Sequence, residues 1–119
     1  MLNPVGLRIH LALQHVDFRK SIDGLSGVVR TVLDADPLSG HVWVFHNRRR
    51  TALKLLFWEH GGFVMVYKRL ERGRFRLPAG LDGKQARMTP AELSALLEGI
   101  DLSRAKRLKR WRPKGLVDP

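Results

Sequence analysis

Arginine is the residue whose placement in this 119-residue sequence most directly suggests chemistry. Arg48-Arg49-Arg50 forms one cluster, and Lys68-Arg69 with Arg72, Arg74 and Arg76 forms a second. The planar guanidinium fork donates two parallel hydrogen bonds to a phosphate or carboxylate, so such clusters point to an anionic partner. The residue types that support catalysis are less well arranged. The five histidines, at positions 10, 15, 41, 46 and 60, make neither an HxH nor an HExxH pattern, and a metal site needs converging ligands. Ser21, Ser26, Ser39, Ser94 and Ser103 lack a nucleophile-elbow context. Gly61-Gly62 has the surroundings of a hairpin turn, without the Lys-Ser and helix of a phosphate loop.

A metal-dependent nuclease is the best enzymatic alternative, with Asp17, Asp36 and Glu59 as its carboxylates. Each has a plainer explanation. Asp36 precedes Pro37 in a turn, where aspartate is simply a good turn former. Asp17 and Asp23 suit a loop and a helix cap. Glu59 opens a hairpin turn and has no lysine shortly after it. The reading is therefore non-catalytic, with no metal and no cofactor.

The elements that must position the arginines are legible in the hydrophobic pattern. Residues 8–13 read as a first strand, and a helix capped by Asp23 runs towards Leu33 with Leu25, Val28, Val29, Val32 and Leu33 on one face. Strand-like runs at 41–46, 53–59 and 63–68 follow, the last two joined at Gly61-Gly62. These three predict an antiparallel meander. Trp43 and Phe45 alternate with Val42 and Val44, and Leu55 and Phe57 with Leu56 and Trp58. Strands that are apolar on both faces need cover on both faces. A second helix begins at Thr89-Pro90-Ala91-Glu92, a capping box, with Leu93, Leu96, Leu97 and Ile100 as its stripe. The expected fold class is α+β, an antiparallel meander packed with two helices. In a meander, the loop after strand 41–46 and the end of strand 63–68 lie at one end of the sheet, so the two basic clusters should share a rim.

Composition supports a polyanion partner, because the net charge is +11 and a strongly basic balance favours nucleic acid. Residues 103–119 carry seven Lys and Arg against Asp118 alone, which supplies +6 of that charge. Such density with few apolar residues predicts a mobile tail. Residues 1–102 then form a single domain. Within the tail, Trp111 lies inside Lys109-Arg110-Trp111-Arg112 and suits either stacking on a base or docking on the protein's own surface. There is no cysteine, so disulfides and thiolate metal sites are excluded. No export signal is read at the N-terminus, and no run reaches the ~20 apolar residues of a membrane helix. A soluble cytoplasmic protein is expected.

Several runs resemble the TnpB accessory proteins of the insertion-sequence-sixty-six group of bacterial transposons. They are Asp17-Phe18-Arg19-Lys20, Asp23-Gly24-Leu25, Asp36-Pro37-Leu38-Ser39-Gly40, Val44-Phe45-His46-Asn47-Arg48-Arg49-Arg50, Lys54-Leu55-Leu56-Phe57-Trp58 and Lys68-Arg69-Leu70-Glu71-Arg72-Gly73-Arg74-Phe75. Thr89-Pro90-Ala91-Glu92-Leu93 and Leu97-Glu98-Gly99-Ile100-Asp101 complete the set. The resemblance covers about residues 5–102. Glu59 replaces the family's usual aspartate, and Leu77 stands where tryptophan is common. The resemblance implies a protein encoded beside a larger transposase and needed for efficient transposition, with no catalytic residue designated.

Together these readings predict a DNA-binding, nucleoid-associated accessory protein. Arg48, Arg49, Arg50, Lys68, Arg69, Arg72 and Arg74 would contact phosphates of the transposon ends, and the tail's Lys106, Arg107, Lys109, Arg110 and Arg112 would add to them. Phosphate contacts carry no base information, so sequence preference should be weak. The alternative is an adaptor that binds the transposase through the two-sided apolar sheet without touching DNA. A homo-oligomer is compatible with both. Arg19-Lys20 would serve DNA or bridge to Asp23 or another acid.

Overall fold

A computed structural model describes residues 7–103. The elements are β1 (Ile9–Ala12), α1 (Ile22–Thr31), β2 (Val42–His46), β3 (Ala52–Glu59), β4 (Gly62–Arg69), β5 (Gln85–Met88) and α2 (Pro90–Leu97). They form an α+β fold around one five-stranded sheet of order β4-β3-β2-β1-β5. The expected meander is present as β2-β3-β4, with Trp43 opposite Leu56 and Leu56 opposite Met65.

Two features differ from expectation. β1 pairs with β2 in parallel, Ile9 beside Val42, because α1 carries the chain back across the sheet between them. The sheet is therefore mixed. β5, which the hydrophobic pattern does not reveal, adds antiparallel to β1 with Met88 opposite Ile9. It has only the four residues Gln85-Ala86-Arg87-Met88, a run without enough apolar alternation to stand out.

The two-sided strands receive the cover they require. On one face Ile9, Leu11, Val42, Val44, Leu55 and Phe57 pack against Leu93 and Leu96 of α2 and against Phe75 and Leu77 of the preceding segment. On the other, Trp43, Phe45 and Leu56 meet Leu25 and Val29 of α1 and Leu33 just beyond it. Val32, expected on the same stripe, is 45% exposed. The N-cap of α1 is Ser21 rather than Asp23, which sits inside the first turn, where its negative charge favours the helix dipole. α2 carries the predicted capping box: the Thr89 hydroxyl accepts from Glu92 N–H at 3.0 Å, and the Glu92 carboxylate accepts from Thr89 N–H at 2.9 Å. Trp43 is buried as expected, while Trp58 is only half-buried and meets Phe63 edge-on at 5.1 Å.

The β3–β4 turn is shifted by one residue from the expected Gly61-Gly62. Glu59 pairs with Gly62, so the turn residues are His60 (φ 46°) and Gly61 (φ 82°). Two positive φ angles match a type I′ turn, in which asparagine is far better tolerated than histidine at the first position. The substitution His60→Asn should therefore raise stability, by up to about 1 kcal/mol, the scale of the left-handed backbone penalty it relieves. Chemical denaturation at pH 7 checks this, and an unchanged or lower midpoint contradicts it.

Candidate nucleic-acid interface

The Arg48–Arg50 loop is held by one side chain. Asn47 Oδ1 accepts hydrogen bonds from Thr51 N–H (2.8 Å) and Ala52 N–H (3.2 Å), and its Nδ2 donates to Thr51 Oγ1 at 2.9 Å. Arg50 N–H donates to the Asn47 carbonyl at 3.0 Å, and Arg50 itself takes φ 60°. Closed in this way, the loop turns Arg48, Arg49 and Arg50 out to solvent.

The second basic segment is stitched to the first. Ala52 pairs with Arg69 and Leu53 with Lys68 at the end of β4. Beyond the strand, Leu70 N–H donates to the Thr51 carbonyl (2.8 Å), and Phe75 N–H donates to the Arg50 carbonyl (2.7 Å). Phe75 is 1% exposed, so its ring anchors the returning chain in the core. Between these two stitches the chain makes an excursion through Gly73 (φ 76°), carrying exposed Arg72 and Arg74 beside the arginine triplet. The convergence of the two clusters on one rim is thus a property of the fold.

The cations of this end fall into two groups. Lys68 Nζ donates to the Leu97 carbonyl at the last residue of α2, a favourable place for a positive charge. Arg69 lies 3.6 Å from Glu71 in an exposed pair that contributes little. Arg19 forks onto Asp17, with hydrogen bonds of 2.6–3.1 Å, and the hydrogen bonds from Arg19 hold the Asp17 carboxyl down at about 2. Arg19 is therefore bridged to its near neighbour rather than to Asp23. By contrast, Arg48, Arg49, Arg50, Arg72 and Arg74 have no acidic partner among the described residues. Lys106, Arg107, Lys109, Arg110 and Arg112 lie outside the described residues, as does Trp111.

Two positioning residues carry no evident role in the sequence. Asn47 is one, although an asparagine ahead of a polar loop is a recognisable turn signal. The other is Lys54, a cation in a strand that otherwise reads as apolar. Only 7% exposed, its Nζ donates to the Phe18 carbonyl (2.9 Å) and the Lys20 carbonyl (2.8 Å) and lies 4.8 Å from the Phe18 ring centre. It fastens residues 17–20 to the sheet at the basic end. Lys54→Met should leave two carbonyls without their donor and cost about 1–3 kcal/mol. Faster amide exchange confined to residues 17–21, measured by NMR, would mark the loosened loop, and unaltered exchange there would contradict the assignment.

The carboxylates of the nuclease alternative are placed apart. Asp17 lies at the basic end and Glu59 at the opposite end of β3. Asp36 Oδ1 accepts from Leu38 N–H at 2.9 Å in a turn. Among the described residues no three His, Asp or Glu side chains converge.

The histidines set a pH dependence. His46 lies 3% exposed beneath the rim, and burial lowers its pKa. His10 is pushed from its ordinary 6.5 to about 4, first by burial and then by the charges of His41, Arg87 and Arg8. Both bind protons more weakly folded than unfolded. Below about pH 6.5 the unfolded chain takes up protons that the native chain refuses, so stability falls towards pH 4 and is fully present above pH 6.5. The melting temperature should be lower at pH 5 than at pH 7.5, and His10→Asn should shrink the difference. Equal melting temperatures at the two pH values would contradict this.

Residues 7–107 match the sequence profile of the family described as "IS66 Orf2 like protein". Two curated relatives, both from Sinorhizobium fredii (strain NBRC 101917 / NGR234), align along most of the chain. "Uncharacterized protein y4jC" is 41% identical over 91% of this chain and 92% of its own length. "Uncharacterized protein y4hO" is 37% identical over 90% of each. No solved structure gives a significant match.

Proposed function

The chain belongs to the IS66 Orf2-like family of transposition-associated accessory proteins, and on that premise we propose that it is a non-catalytic DNA-binding accessory protein that supports the transposase of its element. One observation carries the reading: five guanidinium groups without acidic partners among the described residues, on two chain segments, are held on a single rim by the Phe75–Arg50 and Leu70–Thr51 backbone hydrogen bonds. Arg48, Arg49, Arg50, Arg72 and Arg74 are the principal phosphate ligands. Lys68 and Arg69 border them, their side chains already engaged with Leu97 and Glu71. The cations of residues 104–114 add charge in the same sense. Neither helix supplies a base-reading surface, since each spends its apolar side on the core. Binding should therefore depend on salt far more than on sequence. The reading places the protein in the cytoplasm at the nucleoid. Among the described residues no helix is long and apolar enough to cross a membrane.

A second reading, an adaptor for the transposase, draws on β4. This strand is a sheet edge with Val66 (40% exposed) and Tyr67 (54% exposed) in its run. Unpaired edges bind added strands. The two roles are compatible in one molecule.

Fluorescence anisotropy with the element's terminal repeats and with scrambled DNA, across a salt series, separates them. Replacing Arg48, Arg49 and Arg50 by alanine should flatten the log–log salt slope by about 0.9 for each phosphate that is no longer neutralised. Thermal stability should stay within about 0.5 kcal/mol, because these side chains are exposed. No DNA binding by the native protein at low salt would remove the DNA reading and leave the adaptor. Co-purification with the transposase that survives high salt and nuclease treatment would favour the adaptor.

A further inference from the structure

A second basic surface lies at the other end of the sheet. Across β1, His10 stands opposite Arg87 on β5 and Trp43 on β2. Arg8, two residues before His10, is on the same side of the chain, and its carbonyl accepts from Val42 N–H at 2.9 Å, which brings His41 alongside. His10 Nε2 and His41 Nδ1 are 2.9 Å apart. The two imidazoles and the Trp43 indole are stacked, with ring centres 5.0–5.8 Å apart and planes within 25° of one another. Trp43 is the buried floor, His10 and His41 are half-buried, and Arg8 and Arg87 are exposed. α1 packs mainly on β3 and β4, and it and the residues just after it also cover Ala12 of β1 and reach Gln85 of β5, while Arg8 and Arg87 stay exposed.

The chemistry of the cluster suits phosphate. A 2.9 Å contact between ring nitrogens requires one donor and one acceptor, so the pair cannot hold together with both rings protonated. One of the outer ring nitrogens, His10 Nδ1 or His41 Nε2, remains able to donate. The charges of Arg8 and Arg87 bear on both imidazoles and disfavour a further positive charge. An anion seated among them would relieve that repulsion. This cluster gathers at the end of the sheet where β1 and β2 begin, whereas the arginine rim follows β2. The five residues of β2 separate them by roughly 16 Å at ~3.3 Å per residue.

We infer that the protein has two separate phosphodiester-binding surfaces, the arginine rim and the Arg8–His10–His41–Arg87 cluster, and holds two nucleic-acid segments at once. The inference rests on the DNA reading of the rim and adds the second surface and the bridging role.

The experiment mixes two short duplexes carrying donor and acceptor dyes with the full-length protein and reads energy transfer, beside anisotropy with one duplex. The native protein should give transfer that rises and then falls as excess protein loads each duplex separately. Arg8→Glu and His41→Ala, each at an exposed or half-buried position, should cut the transfer about tenfold while single-duplex affinity drops far less. His41→Ala should also abolish the shift in the His10 ring signals that inorganic phosphate produces in NMR spectra of the native protein. Duplex binding without transfer overturns the inference and leaves the rim reading intact. Transfer that persists in both variants comes from self-association and equally overturns it. Absence of duplex binding at low salt removes both.

Discussion

The structure depends on the burial of both faces of the central strand pair. Val44 and Leu55 point to one side, Phe45 and Leu56 to the other, and all four are at most 3% exposed. Each such side chain is worth about 1.5–3 kcal/mol when removed from water, but only if something covers it. That requirement dictates the rest of the path. α1 must lie between β1 and β2 in sequence to cap one face. α2, together with Phe75 and Leu77, caps the other. A chain that crosses from β1 to β2 through a helix returns in the same direction, which is why these two strands pair in parallel while their neighbours pair antiparallel.

The same constraint creates the basic end. With the core covered above and below, the connections 13–21, 47–51 and 70–84 all meet at one end of the sheet, where backbone groups need partners. Val16 N–H finds the His46 carbonyl, Leu13 N–H that of Lys84, and Phe75 N–H that of Arg50. Buried backbone donors are rarely left unpaired, so these loops are drawn into one another. The arginines they carry are brought together as a consequence. Asn47 and Lys54 supply what the backbone alone does not, one closing the β2–β3 loop and the other fastening residues 17–20. The rim is thus a presentation of charge held in place by backbone and side-chain hydrogen bonds.

Much of this is legible from residue types. The strands at 41–46, 53–59 and 63–68 stand out because each is rich in Val, Phe, Trp or Leu, and α2 because its capping box is a local signal, met by two hydrogen bonds. The features that pattern does not reveal have a common cause. β5 is a strand only because β1 offers it an edge; its four residues lack an intrinsic pattern. The turn falls at His60-Gly61, one residue before the expected place, because Gly62, the more permissive choice, is instead needed to pair with Glu59.

Residue order by itself determined the α+β class, the meander and the meeting of two arginine clusters, because alternation and turn chemistry are local and a meander has one possible end for both. Tertiary structure decided which charges remain available. Lys68 is engaged by the end of α2, Arg69 by Glu71 and Arg19 by Asp17, while Arg48, Arg49, Arg50, Arg72 and Arg74 face solvent without an acidic partner among the described residues. It also assembled His10, His41 and Trp43 into one stack, although the two histidines are 31 positions apart in sequence. The physical reason is range: a hydrogen bond or ion pair acts over a few ångströms, and only the folded path fixes which distant groups come that close.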